Sequence, residues 1–172
     1  MEMSYDIWTG ESLGEIIDIM AKFRVQVFLD DPRVQPVLSD EINFLQYYLQ
    51  EDALVVVANG GGQFVGYMAM VGYSDVHQNC SEYSHYGPDL VVTEGPIVHP
   101  DYWGMGVGRS LMRESFNECE LRDKALCLID TKVSLQAPEE QLERVHYIAD
   151  AFQCDNITGD QQTLIYKKEF NR

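Results

Sequence analysis

Basic residues are scarce in this 172-residue chain: 12 Lys and Arg stand against 28 Asp and Glu, a formal net charge of −16. A field of that sign repels a nucleic-acid duplex or an anionic membrane surface and attracts a cationic small molecule or a basic protein segment. The same acidity also keeps a protein soluble, and charge alone does not separate the two readings. No apolar run approaches the roughly 20 residues that a membrane span requires. The opening Met1-Glu2-Met3-Ser4-Tyr5-Asp6 lacks the basic start and apolar stretch of a signal peptide, so a cytoplasmic protein is expected. The four cysteines, Cys80, Cys119, Cys127 and Cys154, include no CxxC pair, and Cys119 and Cys127 fall inside regular apolar patterns. Reduced core thiols are expected, not disulfides or a metal site. Repeats, low-complexity segments and linkers are also lacking. With 45% apolar and 23% charged residues, the composition is that of one globular domain over residues 1–172.

Tyr5, Ile7 and Trp8 mark a short strand at residues 3–8. Leu13, Ile16, Ile17, Met20, Phe23, Val27 and Phe28 recur at helical spacing. Ser12 with Glu15 predicts a capping box at the start of this helix, and Pro32 follows its end. Ser39-Asp40 brings in a second helix, with Ile42, Leu45, Tyr48 and Leu49 on one face. Ala53 to Ala58 reads as a buried strand, Asn59-Gly60-Gly61-Gly62 as a turn, and Phe64 to Tyr73 as the returning strand of a hairpin. A polar connection at 74–88 leads to another strand at Leu90 to Val98. Gly95-Pro96 interrupts it, and Pro donates nothing to a ladder, so a bulge or an opened strand pair is expected there. Next come a helix with Leu111, Met112, Ser115, Phe116 and Cys119 on one face, and a strand at Ala125 to Asp130. A helix opened by Pro138-Glu139-Glu140 and a last strand at Thr163 to Lys167 complete the chain.

The informative stretch is Val98-His99-Pro100-Asp101-Tyr102-Trp103-Gly104-Met105-Gly106-Val107-Gly108-Arg109-Ser110-Leu111. A strand ends, a turn follows, and glycines open a helix. Small residues let a ligand approach the backbone, and the first amides of the helix point at it, aided by the macrodipole. Arg109 and Arg113 stand in the first turns, where a basic side chain does not help the helix. In a chain so poor in basic residues, the pair points to an anionic ligand. A P-loop needs a Lys after its glycines, and none follows here. The dinucleotide fingerprint is GxGxxG, whereas this is GxGxG, and a two-half nucleotide fold needs more chain.

The segment is similar instead to the acyl-coenzyme A loop of the GNAT N-acetyltransferases. That loop is written (Arg/Gln)-x-x-Gly-x-(Gly/Ala), commonly within Val-x-Pro-x-Tyr-Arg-Gly-x-Gly-Ile-Gly-x-x-Leu. Val98, Pro100, Tyr102, Gly104, Gly106, Val107, Gly108 and Leu111 match by position, and Trp103 stands where the family usually has Arg or Gln. Arg24 to Phe28 resembles the family's Arg-x-x-Val-Phe. Tyr147 to Phe152 resembles its Tyr-x-x-x-Gly-Phe, with Ala151 for Gly, and Glu139 replaces a frequent Asn. The order of elements over 3–168 also follows the family plan. The resemblance implies the α/β GNAT fold, a mixed central sheet of about six to seven strands flanked by helices. It implies acetyl-coenzyme A (acetyl-CoA) as cosubstrate, held at Ile97, Val98, Trp103, Gly104, Met105, Gly106, Val107, Gly108, Arg109 and Ser110, with no metal. Trp103 then gives either a weaker grip or an indole packed on the cofactor.

Acetyl transfer from a thioester to an amine has three needs: a deprotonated amine, a donor for the tetrahedral oxyanion and a proton for the departing thiolate. By resemblance, the backbone of Ile97 and Val98 pairs with pantetheine, and the Val98 amide is the oxyanion donor. Tyr147 matches the family's general acid, and a phenol has the O–H that such a step needs; the alternative is an ordinary aromatic at a helix–sheet contact. Glu94, just before the expected bulge, is either the general base or an acceptor-binding carboxylate. His77, Glu82, His85 and His99 match no standard metal spacing. Asp30, Asp31, Asp40, Glu41, Asp75, Glu82 and Asp89 fall on the implied acceptor side and favour a cationic amine, a small molecule or a protein amine. A homodimer is expected because many relatives form one. Two other readings stay open on the same fold: a non-catalytic acyl-CoA sensor, and an acidic interaction protein that mimics nucleic acid. A bulky residue at Gly106 separates the mimic from the other two.

Overall fold

The structure is a computed structural model that describes residues 2–29, 35–50, 52–72, 75–158 and 163–170, without the side chains of 75–81, 132–134 and 163. The chain divides into two compact units, Met1–Val71 with Pro96–Glu114, and Gly72–Gly95 with Ser115–Arg172.

The first unit carries an antiparallel sheet of β1 (Met3–Thr9), β2 (Leu54–Gly60), β3 (Gln63–Gly72) and the short β5 (Ile97–Val98). Two helices, α1 (Leu13–Phe28) and α2 (Leu38–Tyr48), supply its core. Strand alternation puts Val55 and Val57 of β2 on one face with Tyr67, Ala69 and Val71 of β3. Against them pack Leu13, Ile16, Met20 and Phe23, a helical face, with Leu45 of α2. The capping expectation at α1 is corrected. Ser12 does not cap with Glu15; its hydroxyl accepts the Thr9 N–H at 3.2 Å and donates to the Thr9 carbonyl at 2.8 Å, closing a 3-10 turn ahead of the helix. The hydroxyl is turned to Thr9 and makes no bond to the first amides of α1.

Gly66 permits the approach of β5 to β3. A Cβ there would lie 2.8 Å from the Ile97 carbonyl oxygen and 3.3 Å from the Val98 Cα. Both are backbone atoms and cannot swing aside, so Gly66→Ala must push β5 off the sheet. We expect this variant to remain folded, losing about 1–3 kcal/mol of stability in urea unfolding, the usual cost of an overpacked site.

The second unit carries a mixed sheet in the order β4-β6-β8-β7. Here β4 (Leu90–Thr93) runs parallel to β6 (Leu126–Ser134), while β8 (Thr163–Glu169) is antiparallel to both β6 and β7 (Asp155–Asn156). All four residues of β4 are buried, as the continuous apolar run of a parallel strand requires. Leu90, Val92, Leu126, Leu128 and Ile165 form one core, closed by Tyr83, Tyr86 and Ile157 from the flanking turns. The connection before β4 is a series of 3-10 turns over Asp75–Asp89. α4 (Glu139–Ala151) has Pro138 at its N-cap and two acids in its first turn, as expected. α3 (Val107–Leu121) begins in the first unit and ends in the second, where Phe116 meets Phe152 at 5.5 Å and Phe170 at 5.8 Å. The mixed α/β class is as expected, with eight strands among the described residues instead of six to seven.

Cys119, Cys127 and Cys154 are free and buried, as expected; Cys80 lies outside the described side chains. Burial pushes the Cys119 thiol from 9.0 to about 12 and Cys154 to about 11, and it raises Cys127 as well. In the unfolded chain these thiols ionise from about pH 8.5 upward, while the folded chain keeps their protons. The native state then binds more protons than the unfolded state, so stability falls as pH rises from about 9. Urea midpoints measured between pH 7.5 and 10.5 should decline over that window, and Cys→Ala variants at these sites should flatten the decline.

Candidate active site

The glycine segment lies in the first unit and is built as a turn feeding a helix. After β5, His99 caps a 3-10 turn over Pro100–Tyr102, its Nδ1 accepting the Asp101 N–H at 3.3 Å. Gly104 and Gly106 then adopt φ of +78° and +81°. These are left-handed conformations that a side chain resists. A Cβ on either glycine would meet nothing within 4 Å, so the two residues bend the chain beside open space. The helix's own ladder starts with the Ser110 N–H on the Gly106 carbonyl at 3.0 Å. The amides of Val107 and Gly108 precede it and stand at the positive end of the macrodipole. Val107, Leu111 and Met112 are buried and hold the helix in place, while Met105 is 67% exposed. Gly108 differs from the other two: its Cβ would sit 3.6 Å from Pro96 and 3.7 Å from Val98, ordinary contact distances.

Strand β5 presents a polar edge to the same region. The His99 N–H donates to the Val65 carbonyl at 2.9 Å, and Val98 stands opposite Gly66. Hydrogen-bonded and non-hydrogen-bonded couples alternate along an antiparallel pair. His99 with Val65 is of the first kind, so Val98 with Gly66 is of the second. The Val98 N–H and C=O therefore point away from β3. The indole Nε1–H of Trp103 donates to that carbonyl at 2.9 Å, from a residue 60% exposed. Neither the orientation of this edge nor the indole bond is legible from residue types.

The expected interruption before β5 is present. Residues 94–96 leave the strand pattern, β4 pairs with β6, and β5 pairs with β3. The Gly95 N–H turns inward to the Thr93 hydroxyl at 3.0 Å. Glu94 is half-buried at this break. Glu94 and Tyr147 belong to the second unit, and Tyr147 is 62% exposed on α4. Exposed Arg109 lies on α3; Arg113 pairs with the neighbouring Glu114 at 3.2 Å.

The acidic residues named for the acceptor side are not equivalent. Glu41 is committed to Arg24 at 2.5 Å, with both side chains largely buried. Arg24 also donates to the Tyr67 hydroxyl at 2.9 Å and lies over the rings of Phe28 and Phe44 at 5.2 and 4.9 Å. This network ties α1, α2 and β3 together. Glu82 and Asp89 belong to the second unit, and Asp30 and Asp31 and the side chains of Asp75 and His77 lie outside the described residues. A second pair escaped sequence reading: Tyr166 of β8 and His146 of α4, 2.5 Å apart. Burial, then the Asp150 charge, raises the Tyr166 phenol. Neither pair has a sequence spacing that announces it. No cluster of three metal-ligating side chains occurs among the described residues.

Many solved structures share this fold. The PaiA N-acetyltransferase of Thermoplasma acidophilum, solved with coenzyme A, is 12% identical with a TM-score of 0.61 over 99% of this chain and 100% of its own. The ribosomal-protein-S18-alanine N-acetyltransferase of Escherichia coli is 14% identical with a TM-score of 0.64 over 99% and 96%. YncA of Salmonella typhimurium, solved with its cofactor acetyl-CoA, is 12% identical with a TM-score of 0.67 over 100% and 96%. No curated sequence matches. The fold is thus that of the GNAT acetyltransferases. The sequence profile of the acetyltransferase (GNAT) domain matches residues 51–147, more than half of the chain, and the chain belongs to that family.

Proposed function

We propose that this protein is an N-acetyltransferase that moves the acetyl group of acetyl-CoA directly to an amine. The observation that carries this reading is the pair of left-handed glycines, Gly104 and Gly106, bordering open space where the first amides of α3 begin. That arrangement fits a pyrophosphate, whose charge the amides and macrodipole favour. The outward edge of Val98 fits the amide-bearing pantetheine arm, so the residues present suit the cosubstrate. Acetyl-CoA supplies the activated thioester. The Val98 N–H is assigned to the oxyanion that forms as the amine adds to the carbonyl. Tyr147 is assigned as the acid that protonates the leaving thiolate, and Glu94 as the base that takes the amine proton. Ile97, Met105, Val107, Gly108, Arg109 and Ser110 complete the assigned cofactor segment, and Trp103 flanks it with its indole on the Val98 carbonyl.

The acceptor we favour is a cationic amine, on the strength of the net charge of −16. We read residues 1–172 as one acetyltransferase domain, working as a homodimer in the cytoplasm.

The test is calorimetric titration of the protein with acetyl-CoA, followed by thiol release with a panel of polyamines, aminoglycosides, lysine peptides and N-terminal peptides. Micromolar binding with thiol release on one amine class is the expected result. Binding without release on any amine favours the sensor. Absence of binding overturns the reading.

A further inference from the structure

We propose that the Trp103 indole is a built-in competitor of coenzyme A: its N–H occupies the Val98 carbonyl in the free protein, and the pantetheine arm binds by displacing it. This rests on the proposed acyl-CoA site. Val98 offers one N–H and one C=O on the open edge of β5, and the 2.9 Å indole bond engages the C=O. An extended ligand bearing secondary amides pairs with a strand edge through those two groups. The indole and a pantetheine N–H are both donors, so they seek the same acceptor. Trp103 is 60% exposed, so its ring has solvent to swing into, and its N–H passes to water at little cost. Gly104, next in the chain, has φ of +78° and nothing within 4 Å of its Cβ position, which leaves space beside the ring's attachment point. The Val98 N–H, the assigned oxyanion donor, is untouched by the indole. The competitor therefore acts on cofactor affinity and leaves the chemical step alone.

Removing the N–H while keeping an aromatic ring isolates this effect. Trp103→Phe should bind coenzyme A about 2- to 10-fold more tightly than wild type in calorimetry, the range of one net hydrogen bond. Titration of wild type with coenzyme A should change tryptophan emission as the ring leaves the carbonyl. The same titration of Trp103→Phe, which retains only Trp8, should leave emission flat. Equal or weaker binding by folded Trp103→Phe overturns the proposal, because an indole that packs on the cofactor or merely braces the loop predicts that direction. Unchanged wild-type emission on saturation overturns it as well, and this reading needs no variant to fold. If wild type itself binds no coenzyme A, the proposed function fails and this inference falls with it.

Discussion

Gly106→Val should weaken coenzyme A binding about 100-fold while leaving the protein folded. Valine at φ of +81° is a backbone outlier, and relief requires the turn to change course. Such strain costs about 1–3 kcal/mol, up to roughly 100-fold in Kd if relieved by abandoning the binding conformation. The branched side chain also enters the open space assigned to the pyrophosphate, which adds to the loss. Gly108→Ala is the internal control. Its methyl meets Pro96 and Val98 at ordinary contact distances, so binding should change by no more than about threefold. The contrast gives a physical reason why the family pattern accepts Ala at the last glycine position and not at the one before. Calorimetric titration of both variants checks the pair. Equal losses in the two would remove the distinction drawn between them.

Tyr147→Phe should lower kcat about 100-fold or more, with coenzyme A affinity within about twofold of wild type. General acid catalysis contributes roughly 10²–10⁴ in rate, and the substitution removes only the phenolic hydroxyl. At 62% exposure the side chain has little packing to lose, so the urea midpoint should hold. Rates with the best amine from the acceptor panel, compared at saturating acetyl-CoA, provide the measurement. A variant with an unchanged kcat would return Tyr147 to the status of a surface aromatic. If kcat and stability fell together, the tyrosine would be structural.

Much of this fold was legible because burial imposes a period. Leu13, Ile16, Met20 and Phe23 announced α1, and the run from Ala53 to Ala58 announced β2, because each must face a core. Gly95-Pro96 marked the interruption before β5, since proline cannot join a ladder. β7 was invisible: Asp155 and Asn156 are both exposed and polar, and nothing in two such residues favours a strand until β8 lies alongside. The glycine loop was legible because the left-handed backbone of Gly104 and Gly106 favours glycine. The Val98 edge was not, because its direction follows from register with β3. Arg24 illustrates the same limit. Its partners Glu41 and Tyr67 come from elements far along the chain, and only the assembled unit brings them to one guanidinium.

The division of the chain has a consequence for dissection. Each unit is assembled from two separated stretches, so the polypeptide alternates between them: 1–71, 72–95, 96–114 and 115–172. No single cut releases either unit whole. A fragment ending at Val71 would leave β3 without β5, and one beginning at Ser115 would leave β6 without β4. Nascent chain leaving a ribosome faces the same constraint, because the first sheet stays incomplete until residue 98 has emerged. Folding must wait for long-range closure, which slows it relative to a helical bundle of equal length. Split-reporter fusions and truncation libraries should therefore find this chain intolerant of division between Val71 and Ser115.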